Sequence, residues 1–513
     1  MVSSNKQLKI GVLLSYLAIG INIISGLIYT PWMLHQIGDS DYGLYTLATS
    51  IISIFTIDFG MSAAVSRFIS KYRAEKKQNE IDRFLGIVYR LYLIIDAVLL
   101  IALVFVFLFI DRFTAGLTGA ELERFKVVYI IVATYTVISF PFITLNGILN
   151  SYEKFIQLKV CDILNKVVTV GITVIALLGG LGLYTLVLVN VIVHLLTISV
   201  KLLVIQKTTP ARVRFVKLQR KALGEIFNFS LWTTVVSISK RFLQNVMPVL
   251  LGNVCTTVQI TIYGIGSVIE GYAYLMVSAI TGMMMPRVSR ISVGEHREKE
   301  LNALMCKVGR FQYFIIGLIF AGFAVCGKQF VQLCYGAGRI DAYYVALLMI
   351  FPHLFYAPQQ IAQTTVTVEN KVKLQAYVHV AAAIINVGLA YVLIRHYGVI
   401  GGALSICIVY ILRMLCMNVI YHKVLHLNMW QFYYNCYIKM GLPVLVCVLG
   451  GRLISGTVQA WMSSESSLLM GWLSLGIAAI ITIGVYMLLM WFCGFNAEEK
   501  NMLRNIVKKL LCK

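Results

Sequence analysis

The sequence predicts an all-α polytopic membrane protein made of two similar halves. Three observations lead there. Apolar runs of about 20 residues, each long enough to cross a bilayer, recur to the end of the chain. Only 13% of the 513 residues are charged and 59% are hydrophobic, with a mean hydropathy of +0.82; a soluble globular protein is nearer a quarter charged. Two stretches also end alike: Gly60-Met61 leads to Val65-Ser66-Arg67, and Gly282-Met283 leads to Val288-Ser289-Arg290, each followed by a basic, mixed-charge loop. A transmembrane barrel is excluded, because its strands would alternate polar and apolar residues over about 10 positions. A doubled membrane chain with no sizeable soluble part has the organisation of a transporter.

Hydropathy places about fourteen spans. They start near Ile10, Tyr42, Phe84, Val127, Leu158 and Leu183, then near Glu225, Thr257, Gly309, Tyr344, Val372 and Val399, and finally near Tyr437 and Leu468. The first run, from about Ile10 to Leu34, is too long for a signal h-region and has no small-residue cleavage site, so it reads as a retained span. Orientation follows from Lys and Arg. One set of loops carries Lys71, Arg73, Lys76, Lys77 and Arg83, then Lys207, Arg212, Arg214, Lys217, Arg220 and Lys221, then Arg287, Arg290, Arg297, Lys299 and Lys307. The alternate loops carry Asp39 and Asp41, or Asp111, Glu121 and Glu123. The basic set is expected on the cytoplasmic side, with both termini; this accounts for most of the net charge of +22.

Weak internal matches frame two six-span lobes. Pro31 pairs with Pro248, Tyr42-Gly43 with Tyr263-Gly264, and Glu153, Leu158 and Gly182 with Glu369, Leu374 and Gly398, the last three about 216 residues apart. The expected divisions are an N-lobe of spans one to six, residues 1–206; a basic cytoplasmic linker, 207–224; a C-lobe of spans seven to twelve, 225–424; spans thirteen and fourteen, 425–495; and a cytoplasmic tail, 496–513. The tail puts Leu503, Ile506, Val507, Leu510 and Leu511 on one helical face with Lys500, Arg504, Lys508 and Lys509 around it, the pattern of a helix lying on an anionic leaflet. Pro31, Pro141, Pro248, Pro352, Pro358 and Pro443 fall in spans and Pro286 near the end of one, where each permits a bend.

Intramembrane charges are costly and mark sites. Lys240 and Arg241 lie about 15 residues into span seven, near mid-bilayer. Ser237, Arg241, Gln244 and Pro248 share one face there. A guanidinium that forks onto phosphate beside an ammonium makes an anion site; the competing reading is neutralisation by Glu270 in span eight. Arg413 in span twelve extends the cationic set. Span one carries Ser15, Ala18, Asn22, Ser25 and Tyr29 at helical spacing, which either lines a cavity facing span seven or serves close packing. Gln359, Gln360, Gln363, Thr364, Thr365 and Thr367 give span ten a polar face suited to sugar hydroxyls or to neighbouring helices. Asp58, Asp96 and Glu270 are candidate carriers of a coupling ion; Asp162 and Lys166 read as an intrahelical pair. His194, His353 and His379 read as hydrogen-bonded structural residues. The 11 cysteines show neither metal-ligand spacing nor a disulfide framework, and no phosphate-binding glycine loop, His-Glu-x-x-His or Ser-His-Asp set is present. No cofactor or metal is expected.

These residues resemble those of the polysaccharide-transporter, or oligosaccharide-flippase, branch of the superfamily that includes multidrug and toxic-compound extrusion antiporters. The resemblance rests on Ile37-Gly38 to Tyr42-Gly43-Leu44-Tyr45, Asp58-Phe59-Gly60 with Arg67, Glu153-Lys154-Phe155, and Tyr397-Gly398 to Gly401-Gly402-Ala403, and on length and topology over nearly the whole chain. It implies a V-shaped bundle with a central cavity. It implies flipping of an undecaprenyl-pyrophosphate-linked oligosaccharide (an O-antigen, capsule or exopolysaccharide unit) from the cytoplasmic to the outer leaflet, driven by an ion gradient or membrane potential. Lys240, Arg241 and Arg413 would then hold pyrophosphate, and Asn22, Ser25, Ser237, Gln244, Gln359 and Gln363 would line the sugar site. Partners would be the lipid-linked glycan, membrane lipids, a polysaccharide polymerase and a chain-length regulator, with no nucleic acid. The alternatives are an organic-cation antiporter or a peptidoglycan-precursor flippase of the same superfamily, and, further off, a membrane glycan polymerase or ligase. The last would normally carry a substantial outer loop, which this chain lacks.

Overall fold

The computed structural model describes residues 4–56, 61–214, 220–281, 284–292, 294–462, 468–501 and 504. Asp58, Gly60, Gly282-Met283 and most of the tail face from Leu503 to Leu511 lie outside them, as do the side chains of Ser15 and Arg67. The described residues are helical, with no strand. In chain order the helices are α1 (Ser4–Phe55), α2 (Met61–Ala74), α3 (Gln78–Leu108), α4 (Ile110–Phe113), α5 (Gly119–Ser139), α6 (Leu145–Ser151), α7 (Phe155–Leu178), α8 (Leu183–Thr208), α9 (Arg220–Val254) and α10 (Thr257–Thr281). There follow α11 (Met285–Ile291), α12 (Arg297–Tyr335), α13 (Asp341–Ile350), α14 (His353–Tyr356), α15 (Gln360–Val368), α16 (Val372–Lys423), α17 (Met429–Phe432), α18 (Lys439–Met462) and α19 (Leu468–Leu489).

Among the described residues, 11 helical stretches are long and apolar enough to cross a membrane. This differs from the expected fourteen for a local reason. Two of the 11 stretches, those in α1 and α16, each hold two helices joined at a kink where hydropathy places a break, with Gly38 at φ 81° and Gly398 at φ 55° as the non-helical residues. Both angles lie in the left-handed region that favours glycine. Helix α9, which carries Lys240 and Arg241, is not among the 11. Large apolar side chains such as Ile101, Leu108, Leu453 and Ile480 point outward, as a hydrocarbon solvent requires.

The prolines divide into two groups. Pro31, Pro248 and Pro443 sit inside α1, α9 and α18. Pro141, Pro352 and Pro358 instead lie where an α-helix gives way to a short tight turn, because proline supplies no N–H to the helix before it and suits the first turn of the next. Pro352 and Pro358 thereby break the stretch from α13 to α15 into short pieces.

The chain divides into two compact units: Met1–Gly264 with His379–Gly402, and Ile265–Val378 with Ala403–Lys513. In the first, α1 packs on α5, α7 and α9, α7 packs on α8, and α2 packs on α6. Its Glu121 caps α5 in a reciprocal box with Thr118 and also accepts from the hydroxyls of Ser40 and Thr257, each at 2.7 Å. Nearby, the Thr261 hydroxyl donates to the Asp39 carbonyl at 2.6 Å and Arg124 pairs with Asp41. In the second unit α12 is the axis, against α18, α19 and the pieces from α13 to α15. Its Arg310, 3% exposed, donates to both Glu499 oxygens (2.7 and 2.8 Å) and to the carbonyls of Asn435 and Gly494.

Three helix-to-helix turns share one design. Lys76, Glu153 and Asn370 take φ near 56° to 58°, and the lysine after each, Lys77, Lys154 and Lys371, donates its N–H at 2.9 Å to the carbonyl five residues back. This is the Schellman closure, here built without glycine. It matches Glu153 with Asn370, one residue off the Glu153–Glu369 register read from the sequence.

Candidate functional site

The second unit gathers polar residues around the broken stretch after α13. Pro352 ends α13 and starts α14 at His353, which is 5% exposed. Its Nε2 shares a hydrogen bond with Glu270 Oε1 of α10 at 2.5 Å. Three tyrosine rings surround the imidazole: Tyr274 at 5.4 Å, Tyr356 at 6.2 Å and Tyr410 at 6.3 Å. The Arg413 guanidinium stacks over two of these same rings, 4.7 Å from Tyr356 and 4.4 Å from Tyr410. Arg413 is 5% exposed, and among the described residues it makes no ion pair or hydrogen bond. A buried guanidinium held only by aromatic faces keeps its five donors for an anion.

The glutamines of this stretch split by position. Gln359 is buried and donates to the Tyr437 hydroxyl at 2.9 Å, and Gln360 accepts from Gln312 at 3.3 Å. Gln363, half-buried, accepts from Tyr356 at 2.8 Å and so joins the tyrosine cluster. The hydroxyls of Thr364, Thr365 and Thr367 turn back onto carbonyls of their own helix.

In the first unit, Lys240 is half-buried and Arg241 exposed on α9, and neither forms an ion pair among the described residues. Glu270, their expected neutraliser, has His353 as its partner. Ser237 bonds back to the Thr233 carbonyl, and Gln244 is exposed. Asn22 and Ser25 are half-buried on α1, which packs on α9, and the Ser25 hydroxyl is enclosed without a described partner. Asp96 on α3 likewise has an enclosed carboxylate oxygen with no described partner. Asp162 does not pair with Lys166. Lys201, from the neighbouring α8, reaches it at 2.9 Å, and Lys159 lies at 3.7 Å. His194 meets the Asn165 amide at 3.4 Å, as a structural histidine would.

Sequence reasoning missed Tyr274, Tyr356 and Tyr410. Helical spacing holds the signal: Glu270 and Tyr274 are one turn apart, as are Tyr410 and Arg413, and Tyr356 and Gln363 are two turns apart.

The family described as polysaccharide biosynthesis protein matches residues 8–292, more than half of the sequence. The chain belongs to this family. No curated protein matches it by sequence. Among solved structures it is similar to the lipid II flippase MurJ in an inward closed conformation, with a TM-score of 0.65 at 13% identity, covering 93% of this chain and 98% of that one. It is also similar to an inward-facing multidrug resistance MATE family transporter of the MOP superfamily, with a TM-score of 0.63 at 14% identity over 82% and 97% of the two chains. A MOP superfamily transporter from Pyrococcus furiosus, described as having a binding pocket of reverse polarity, gives 0.57 at 14% identity over 81% and 94%. At these identities the likeness is one of fold. The polysaccharide biosynthesis chain is thus a multi-pass membrane protein whose fold is like that of these solved transporters.

Proposed function

We propose that the chain flips an undecaprenyl-pyrophosphate-linked oligosaccharide from the cytoplasmic to the outer leaflet of a bacterial inner membrane by alternating access between the 1–206 and 225–424 lobes. The observation that carries this reading is the set of cations without described counter-ions: Arg413, buried under two tyrosines, and Lys240 with Arg241 on α9. A cation kept unneutralised among membrane helices costs free energy unless an anionic ligand uses it. Each of the three is assigned to the pyrophosphate. The sugar is assigned to Asn22, Ser25, Ser237, Gln244 and Gln363, with Gln359 setting the shape of the stretch behind them. The two leaflet-crossing charges make membrane potential a driving force, with Asp58, Asp96 and Glu270 as carriers of any coupling ion. Both termini are assigned to the cytoplasm, with a glycan polymerase and a chain-length regulator as partners. Against an organic-cation antiporter, Glu270 is bonded to His353 in a cluster that also holds Arg413; Asp96, enclosed without a described partner, is the acid such a reading would use.

The test is translocation in proteoliposomes of a labelled undecaprenyl-pyrophosphate oligosaccharide, with lipid II and a cationic dye run beside it. Arg413→Gln, and Lys240→Gln with Arg241→Gln, should each cut the flipping rate at least tenfold, because each removes charge-assisted bonds to phosphate. Wild-type rates in both variants, or efflux of the dye alone, would sink the proposal.

A further inference from the structure

The tyrosine cluster in the second unit joins an anion site to a proton site, and the coupling between them has a sign. We infer that anion binding at Arg413 and proton binding on the Glu270–His353 pair are positively linked, so that a pyrophosphate diester arriving at Arg413 draws a proton onto the pair. This rests on the assignment of Arg413 to pyrophosphate.

The geometry gives the reason. Glu270 and His353 share one hydrogen bond, so the pair is neutral with one proton and carries one negative charge without it. His353 Nδ1 is enclosed and has no described partner, so no second bond fixes the proton count of the ring. Arg413 lies over Tyr356 and Tyr410, the rings that also flank His353. With its site empty, the Arg413 charge favours the deprotonated, negative pair. A diphosphate bound there cancels that charge and reverses it, and the pair then favours its proton. The other ionisable groups facing the pair are Tyr274 on its α10 side and Tyr356 and Tyr410, which ordinarily titrate near pH 10 and do not compete at neutral pH. Helix α12 turns its nearby ionisable groups elsewhere, Arg310 to Glu499 and Tyr313 to Tyr437. Each unit of charge about 10 Å away at an effective dielectric near 20 moves a proton equilibrium roughly tenfold, so the two charges of the diester move it by roughly ten- to a hundredfold. By reciprocity the proton must tighten the anion by the same factor. Proton and substrate therefore load together at this site, whereas a simple antiporter makes them compete.

The experiment uses the purified full chain in lipid nanodiscs and a polyprenyl-pyrophosphoryl-N-acetylglucosamine, a diester with no titration of its own near neutrality. Affinity is measured between about pH 5.5 and 8, and a pH-indicator dye in weak buffer reports protons taken up on binding. Affinity should rise roughly ten- to a hundredfold toward acid, with proton uptake in step. His353→Gln, and Glu270→Gln with His353→Asn, should each bind the probe without the pH slope and without uptake. A flat wild-type profile in protein whose binding Arg413→Gln abolishes overturns the linkage alone. So does affinity that falls toward acid, or a slope that survives both variants. Binding that Arg413→Gln leaves intact overturns the pyrophosphate assignment and the linkage with it.

Discussion

Arg310 gives the sharpest stability prediction. Its guanidinium, 3% exposed, ties α12 to the chain beyond α19 through both oxygens of Glu499 and the carbonyls of Asn435 and Gly494. Arg310→Met keeps most of the volume and removes every donor. The two carbonyls lose a charge-assisted bond each, at about 1–2 kcal/mol apiece. Glu499 is 27% exposed and rehydrates in part, so its loss is discounted to under about 1 kcal/mol. The sum is about 3 kcal/mol, within the range for breaking a buried pair. Glu499→Gln should cost about 2 kcal/mol, since it leaves the buried cation with carbonyls alone. The double variant should fall short of the sum by about 1 kcal/mol or more, because the two residues share one set of bonds. Denaturant unfolding in detergent, followed by tryptophan fluorescence, measures all three. An additive double variant, with Glu499→Gln within about 0.5 kcal/mol of wild type, would show that the ion pair contributes nothing.

Four further outcomes are expected. Glu121→Ala removes the return half of the α5 capping box and the acceptor for Ser40 and Thr257, and should lower stability by about 2 kcal/mol in the same assay. Gly43→Ala places a Cβ 2.5 Å from the Thr257 carbonyl oxygen and should reduce folded yield on size exclusion, whereas Gly20→Ala, with nothing within 4 Å, should be silent. Glu153→Gly relieves a left-handed backbone at φ 58° and should raise the melting temperature, worth about 1 kcal/mol. Burial pushes the Cys255 thiol up, so it holds less thiolate at any given pH; iodoacetamide should label it near neutrality only after unfolding.

The helical membrane fold was legible because it depends on composition and run length, which local sequence carries. The breaks near Gly38 and Gly398 were legible too, since each is a kink between two helices; that a single residue makes each kink was not. At the candidate site, the charges Glu270 and Arg413 were visible and their partners were not. Glu270 meets a histidine 83 residues away, and no local spacing announces that bond. Asp162 shows the same limit: Lys166, one turn on, was the natural partner by sequence, and a lysine from the adjacent helix takes the carboxylate instead. Proline was read correctly as a place where helices change, but not whether a given residue would bend a helix or end it. Pro31 lies inside a helix, whereas Pro352 stands at the start of a new one.

The two single-residue breaks differ in their surroundings. A side chain at Gly38 would meet nothing within 4 Å. At Gly398 the Gln259 amide already fills that space, 2.9 Å from where a Cβ would be, and its oxygen accepts from the Val399 N–H at 3.1 Å. The first break has open space beside it, but the three residues that follow are held: Thr261 bonds the Asp39 carbonyl, Ser40 bonds Glu121 and Arg124 pairs with Asp41. The second is a bolted joint, in which any rotation must first strip a hydrogen bond. Both corners are therefore fastened, the first by the side chains that grip the residues after it and the second at the glycine's own next amide.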